Sequence, residues 1–265
     1  MGPSLLAATL CGLATGLGAI PFLFVRQLPR RLYDGVLGLG AGLMLAAATL
    51  GLLAEALDGV RHAAGVNLAQ LGLVVGGFVA GVVLAAAMDR FIPHRHAGGH
   101  HQHLGHEPGH DIHDRPHEVR RGYAIIGALS LHRFPEGLAI GAGFAADGSA
   151  HLGPLLAIAI GIQNVCEGIV MAAPLRQGGV SRARGLLVVA LTGLTIPFAA
   201  LCGQALAGLA AQTMPFTLAL AGGTLIYITS NEIIPESHSH GHEATASSGV
   251  VLGFLLTMVL QALLH

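Results

Sequence analysis

Two polar stretches interrupt otherwise apolar sequence: Leu131-His132-Arg133-Phe134-Pro135-Glu136-Gly137 and Gln163-Asn164-Val165-Cys166-Glu167-Gly168. An uncompensated charge at a bilayer centre costs roughly 3 kcal/mol on insertion scales, so ionisable groups in such runs are expected to have partners and a task. His132 and Glu136 stand at i and i+4 and project from one face of a helix that Pro135 loosens. Glu167 projects likewise from the second stretch, with Gln163 one turn before it and Asn164 three residues before it. An imidazole nitrogen and two carboxylates suit Zn2+ or another divalent first-row ion. Met44 could add a soft thioether, although its spacing by itself fits a core residue better. The competing reading is a hydrogen-bonded packing histidine with an Arg133–Glu136 ion pair at i, i+3. Four ionisable groups on two neighbouring segments weigh against it.

The elements that must carry these residues follow from composition. Of 265 residues, 53% are hydrophobic and 10% charged, with a mean hydropathy of +0.68, so the apolar content falls into bilayer-length runs. The expected fold class is all-α: one polytopic integral membrane domain over 1-265 with eight transmembrane helices. The spans are expected at about 4-25, 35-57, 66-90, 122-146, 151-173, 184-210, 215-236 and 247-264, each near the roughly 20 residues that cross about 30 Å of hydrocarbon. The short connection 147-150 makes the fourth and fifth spans antiparallel neighbours, so their polar stretches converge.

All thirteen cationic residues are Arg, and the net charge of −1 argues against a nucleic-acid partner. Cys11, Cys166 and Cys202 form no CxxC pattern or disulfide framework. No cation precedes the first span while Arg26, Arg30 and Arg31 follow it, the reverse of a cleaved leader. Arginines cluster in loops 1-2, 3-4 and 5-6 against Arg61 alone on the other side, which places those loops in the cytosol and both termini outside.

The loop at 91-121 holds nine histidines (His94, His96, His100, His101, His103, His106, His110, His113, His117) among Gly, Asp and Pro, and reads as a disordered cytosolic segment that binds metals weakly. The 39 glycines include Gly72-x3-Gly76 and Gly77-x3-Gly81 on the third span, spacings that pack helices closely. Pro135, Pro197 and Pro235 each remove an intrahelical hydrogen bond and are expected to kink helices beside a cavity. Where the seventh span meets the cytosol, Glu236, His238, His240 and His242 offer mixed oxygen and nitrogen donors for ions leaving the centre.

The paired His-x-x-Pro-Glu-Gly and Asn-x-x-Glu-Gly stretches, the His-rich loop and Ile234-Pro235-Glu236-Ser237-His238 together resemble the ZIP (Zrt- and Irt-like) family of divalent metal transporters, nearest its bacterial branch, over almost the whole chain. The resemblance implies uptake of zinc into the cytosol, an elevator-like motion of spans one, four, five and six against the rest, a homodimer, and residence in a bacterial inner membrane. The transported metal would be the only cofactor; cadmium, iron, manganese, cobalt and nickel are compatible with the same donors. The family's primary metal site falls on Met44, His132, Glu136 and Glu167. Its second site usually has Asn where Arg133 stands, often Asp where Asn164 stands, and in the bacterial branch Glu where Ile196 aligns. Cys166 stands where the family usually has Pro. A guanidinium at Arg133 can replace a missing cation beside Glu136 and Glu167, so one metal per subunit is expected, bound more weakly for the like charge beside it.

Enzymatic readings fare poorly. A zinc protease would need His-Glu-x-x-His, whereas this chain has His-x-x-x-Glu, and a haem carrier would need axial histidines in pairs at depth, where His132 is the one clear case. The rival functions are a metal-binding membrane sensor and a passive channel using the same ligands.

Overall fold

The structure, a computed structural model, describes residues 2–25, 28–58, 60–62, 65–91, 130, 133–146, 151–177, 179–208 and 214–264. His132 and the nine histidines between 94 and 117 lie outside these residues. Within them the chain forms eight helices. They are α1 (Gly2–Ala19, prolonged by a 3-10 turn Ile20–Leu23), α2 (Arg30–Ala46, running through a π-helical stretch Ala47–Leu53 into Ala54–Asp58) and α3 (Leu68–Phe91). Then come α4 (133–145), α5 (Leu152–Gln177), α6 (Arg182–Thr192 and Thr195–Gly208), α7 (Met214–Ile228, a π turn Thr229–Ile233, and Ile234–Ser237) and α8 (Glu243–Leu264). Only the two-residue hairpin Arg61–His62 with Gly65–Val66 is extended among the described residues.

Among the described residues, six helices are long and apolar enough to cross a bilayer: Gly2–Leu23, Arg30–Asp58, Leu68–Met88, Leu152–Gln177, Arg182–Ala207 and Glu243–Leu264. The protein is thus an all-helical polytopic membrane protein; α4, described over 133–145, and α7, whose last turns carry Glu232 and Glu236, are not among the six. α2 begins at Arg30 rather than near 35, which brings Tyr33 and Asp34 into the helix.

Lipid supplies no hydrophobic drive between helices, so contact depends on close backbone approach at small residues. A Cβ on Gly18 would meet the Val165 carbonyl and one on Gly168 the Thr15 carbonyl, which fixes α1 against α5. Gly38 and Gly42 meet α8 at Ala246 and Val250, while Gly249 and Gly253 return the contact to α2. Gly77 and Gly81 lie on the α7 backbone at Phe216 and Leu220, whereas Gly72 and Gly76 face open space. Of the two consecutive Gly-x3-Gly pairs, one is therefore spent inside the chain. α4 is seated on α6 through Gly137, Gly141 and Gly203.

Proline acts as expected in α6. Pro197 has no N–H to give the Gly193 carbonyl, and the helix breaks at Gly193–Leu194. The freed groups are met locally: Ile196 N donates to the Gly193 carbonyl at 3.2 Å and Thr195 Oγ1 to the Thr192 carbonyl at 2.9 Å. Gly193, at the break, touches Gly12 of α1.

Candidate metal site

The two polar stretches meet where α4 and α5 pass. Arg133 starts the described part of α4 and Glu136 follows one turn later; both are fully buried, and Glu167 on α5 is only 3% exposed. Arg133 Nη2 donates to Glu167 Oε2 at 3.1 Å, so the ion pair runs between helices and not along α4 to Glu136. Its Nη1 donates to Thr15 Oγ1 of α1, and Nη2 also lies 3.9 Å from Met171 Sδ. Gln163 Nε2 bridges the carboxylates, donating to Glu136 Oε1 at 2.8 Å and to Glu167 Oε1 at 2.9 Å. Asn164 Nδ2 donates to the Cys11 carbonyl at 3.1 Å, tying α5 to α1.

Buried polar groups are nearly always paired, yet the acceptors Glu136 Oε2, Gln163 Oε1 and Asn164 Oδ1 and the donor Arg133 Nε have no partner among the described residues. The three acceptor oxygens on α4 and α5 leave lone pairs free for a cation beside the guanidinium. Two carboxylates beside one guanidinium in an apolar setting call for one more positive charge, a proton or a further cation.

Met44 is 1% exposed and sits one turn from Gly40, whose Cα faces Gln163 and Cys166 of α5. Its Sδ lies 3.6 Å from Thr229 Oγ1, in the first residue of the π turn of α7. π-helical turns occur often at functional sites, and the wide turn of α2 starts three residues after Met44. Ile196 is buried with its carbonyl against Gly137, directly beside Glu136.

A second polar cluster lies at the start of α2, ten residues before Met44 and so about 15 Å away along the helix. Asp34 is fully buried, accepting from His240 Nδ1 at 2.8 Å and from His242 Nδ1 at 3.1 Å. Gly241 between them adopts φ +83°, a left-handed conformation that lets the chain double back so that both rings reach one carboxylate. His238 turns elsewhere, to the Ile234 carbonyl at 2.9 Å and Ser247 Oγ at 3.0 Å, and Glu236 contributes its backbone carbonyl to Ser239 Oγ at 2.8 Å. Among the described residues no three His, Cys, Asp or Glu side chains are grouped so as to hold a metal ion; the fourth-span histidine lies outside them. Sequence reasoning did not single out Thr15, Met171, Thr229 or Asp34. Asp34 alone carried a signal, an acidic residue at the edge of an apolar run.

Helices spanning a bilayer around a buried cluster of carboxylates, amides and one guanidinium define an integral membrane protein with an intramembrane polar site. The chain belongs to the ZIP zinc transporter family, whose profile matches residues 93–261. It is 36% identical over 262 residues to the zinc transporter GufA of Myxococcus xanthus, covering 98% of both chains. It is 37% identical over 251 residues to the zinc transporter ZIPB of Bordetella bronchiseptica, covering 95% of this chain and 78% of that protein. A more distant relative, zinc transporter ZupT of Corynebacterium aurimucosum, is 29% identical over 96% of this chain and 94% of its own length.

Proposed function

We propose that this protein carries Zn2+ through the membrane into the cytosol, holding one ion per chain between α4 and α5. The ligands are His132, Glu136 and Glu167, with the Met44 thioether reaching in from α2. The observation that carries this reading is the convergence of two buried carboxylates with unsatisfied acceptor oxygens at Glu136, Gln163 and Asn164. Relatives named as zinc transporters support zinc as the cargo; the same donors accept cadmium, iron, manganese, cobalt or nickel. Arg133, paired with Glu167, stands in place of a second metal, with Asn164 and Ile196 completing a pocket that lacks the carboxylates a second ion would need. Arg133 also repels the cargo and so favours release over tight capture.

All eight helices serve as spans in this reading, with both termini outside, in a bacterial inner membrane and as a homodimer. α1, α4, α5 and α6 move as one body, and Glu236, His238, His240 and His242 receive the leaving ion at the cytosolic end. The test is Zn2+ uptake into proteoliposomes over a range of external concentrations. Wild type is expected to give saturable uptake that Glu136→Ala and Glu167→Ala each abolish. A folded, zinc-binding wild type that moves no zinc would overturn transport in favour of sensing, and uptake that fails to saturate would indicate a channel.

A further inference from the structure

Arg133 is held by more than its ion pair. Nη1 donates to the Thr15 hydroxyl of α1, while Nη2 is shared between Glu167 Oε2 at 3.1 Å and Met171 Sδ at 3.9 Å. Glu167 and Met171 stand at i and i+4 of α5, so the charged and neutral acceptors lie next to each other on one helix face. Thr15 and Met171 are both fully buried, and Thr15 belongs to the buried side of α1 with Ser4, Ala8, Cys11, Gly12, Gly16, Gly18 and Ala19. Of the two buried hydroxyls on α1, Thr15 is the one that accepts from the guanidinium.

A cation that binds between Glu136 and Glu167 competes with Nη2 for the Glu167 carboxylate. The displaced guanidinium stays buried, and a buried charge that loses its acceptors is strongly unfavourable. The planar fork of Arg lets one nitrogen keep its partner while the other exchanges, which a lysine could not do. We infer that Thr15 and Met171 form a resting place for the Arg133 guanidinium, which keeps these neutral acceptors when a divalent cation takes Glu167 from it. Thr15 is thus a positioning residue for cation binding that acts through Arg133. This rests on the reading above that the cation is held by Glu136 and Glu167.

The experiment is equilibrium titration of the purified full-length chain in nanodiscs with Zn2+ alone, read by calorimetry, as a double-mutant cycle on Thr15→Val and Arg133→Met. Thr15→Val is expected to raise the Kd several-fold, because the bond to Thr15 is made with and without the cation but becomes the guanidinium's main one once Glu167 is taken, and Thr15→Ser to restore wild-type affinity. In the Arg133→Met background Thr15→Val should change nothing, because no guanidinium remains to be placed. A Thr15→Val chain that binds as wild type does, or a loss that persists without Arg133, overturns the inference. Should Thr15→Val not fold, Met171→Leu, which keeps the volume and removes the thioether, enters the same cycle with the same expected signs. Glu167→Gln separates the two levels: zinc binding unchanged by it removes the metal-site reading and this inference together. Binding lost there but indifferent to Thr15 removes this inference alone.

Discussion

Gln163 holds together two groups that repel each other. Its single amide nitrogen donates to one oxygen of Glu136 and one of Glu167, and both carboxylates are buried, so each depends on a donor that water cannot replace. Removing such a donor costs about 1.5–3 kcal/mol per bond to a charged group. Gln163→Leu is therefore expected to lower the thermal midpoint of the metal-free protein markedly. Saturating Zn2+ should return much of the loss, because a ligand that binds only the folded state stabilises it. Melting curves with and without zinc decide this; an equal drop in both would mean that Gln163 matters for packing alone. Arg133 and Glu167, 34 positions apart, were within reach of sequence reasoning because two adjacent apolar runs with a short turn must pack antiparallel. Thr15, 118 positions from Arg133, was not, since a threonine in an apolar span carries no mark of its partner.

At the scale of elements, glycine position decides which helices touch. On α3 the two Gly-x3-Gly pairs are equivalent as sequence, yet Gly77 and Gly81 lie against the α7 backbone while Gly72 and Gly76 meet nothing within 4 Å among the described residues. Gly81→Ala would push a methyl into the Leu220 carbonyl, an overpacking that costs about 1–3 kcal/mol, and should lower the stability of the protein in detergent. Gly72→Ala should leave it unchanged or raise it slightly, as alanine is the better helix former. Thermal unfolding of the two variants side by side checks the assignment; equal effects would place α3 differently. Breaks and wide turns follow the prolines only in part. Pro197 accounts for the interruption of α6, and Pro235 lies two residues past the π turn of α7, but no proline lies in the π stretch Ala47–Leu53 of α2. That stretch packs against α7 and α5, so tertiary contacts, invisible in the sequence, set its wider turns.

For the molecule as a whole, orientation is a matter of where arginines can stay. The 1-2, 3-4 and 5-6 loops carry nearly all of them, and transfer of such loops across an energised membrane is disfavoured. Single cysteines placed at Ser181, in the loop before α6, and at Asn67, in the loop before α3, are expected to differ. In intact cells a membrane-impermeant thiol reagent should modify the Asn67→Cys protein and spare Ser181→Cys until the membrane is opened. Native Cys11 and Cys166 are buried and Cys202 is partly so, which keeps the background low. The reverse pattern would invert the protein and turn the proposed direction of zinc movement outward.

The sequence by itself determined the class and the pair of segments that carry the polar residues. Hydrophobic length, the cost of charge in lipid and i, i+4 spacing are all local quantities. They sufficed to bring Arg133, Glu136, Gln163, Asn164 and Glu167 together. Only the tertiary structure decided which acceptor each group took. Arg133 turned to Glu167, Thr15 and Met171, Asn164 to the Cys11 carbonyl, and His240 and His242 to Asp34, more than two hundred residues away in sequence. Hydrogen-bond partners across helices depend on which backbones come close enough, and that was settled by glycines on opposing helices acting in pairs.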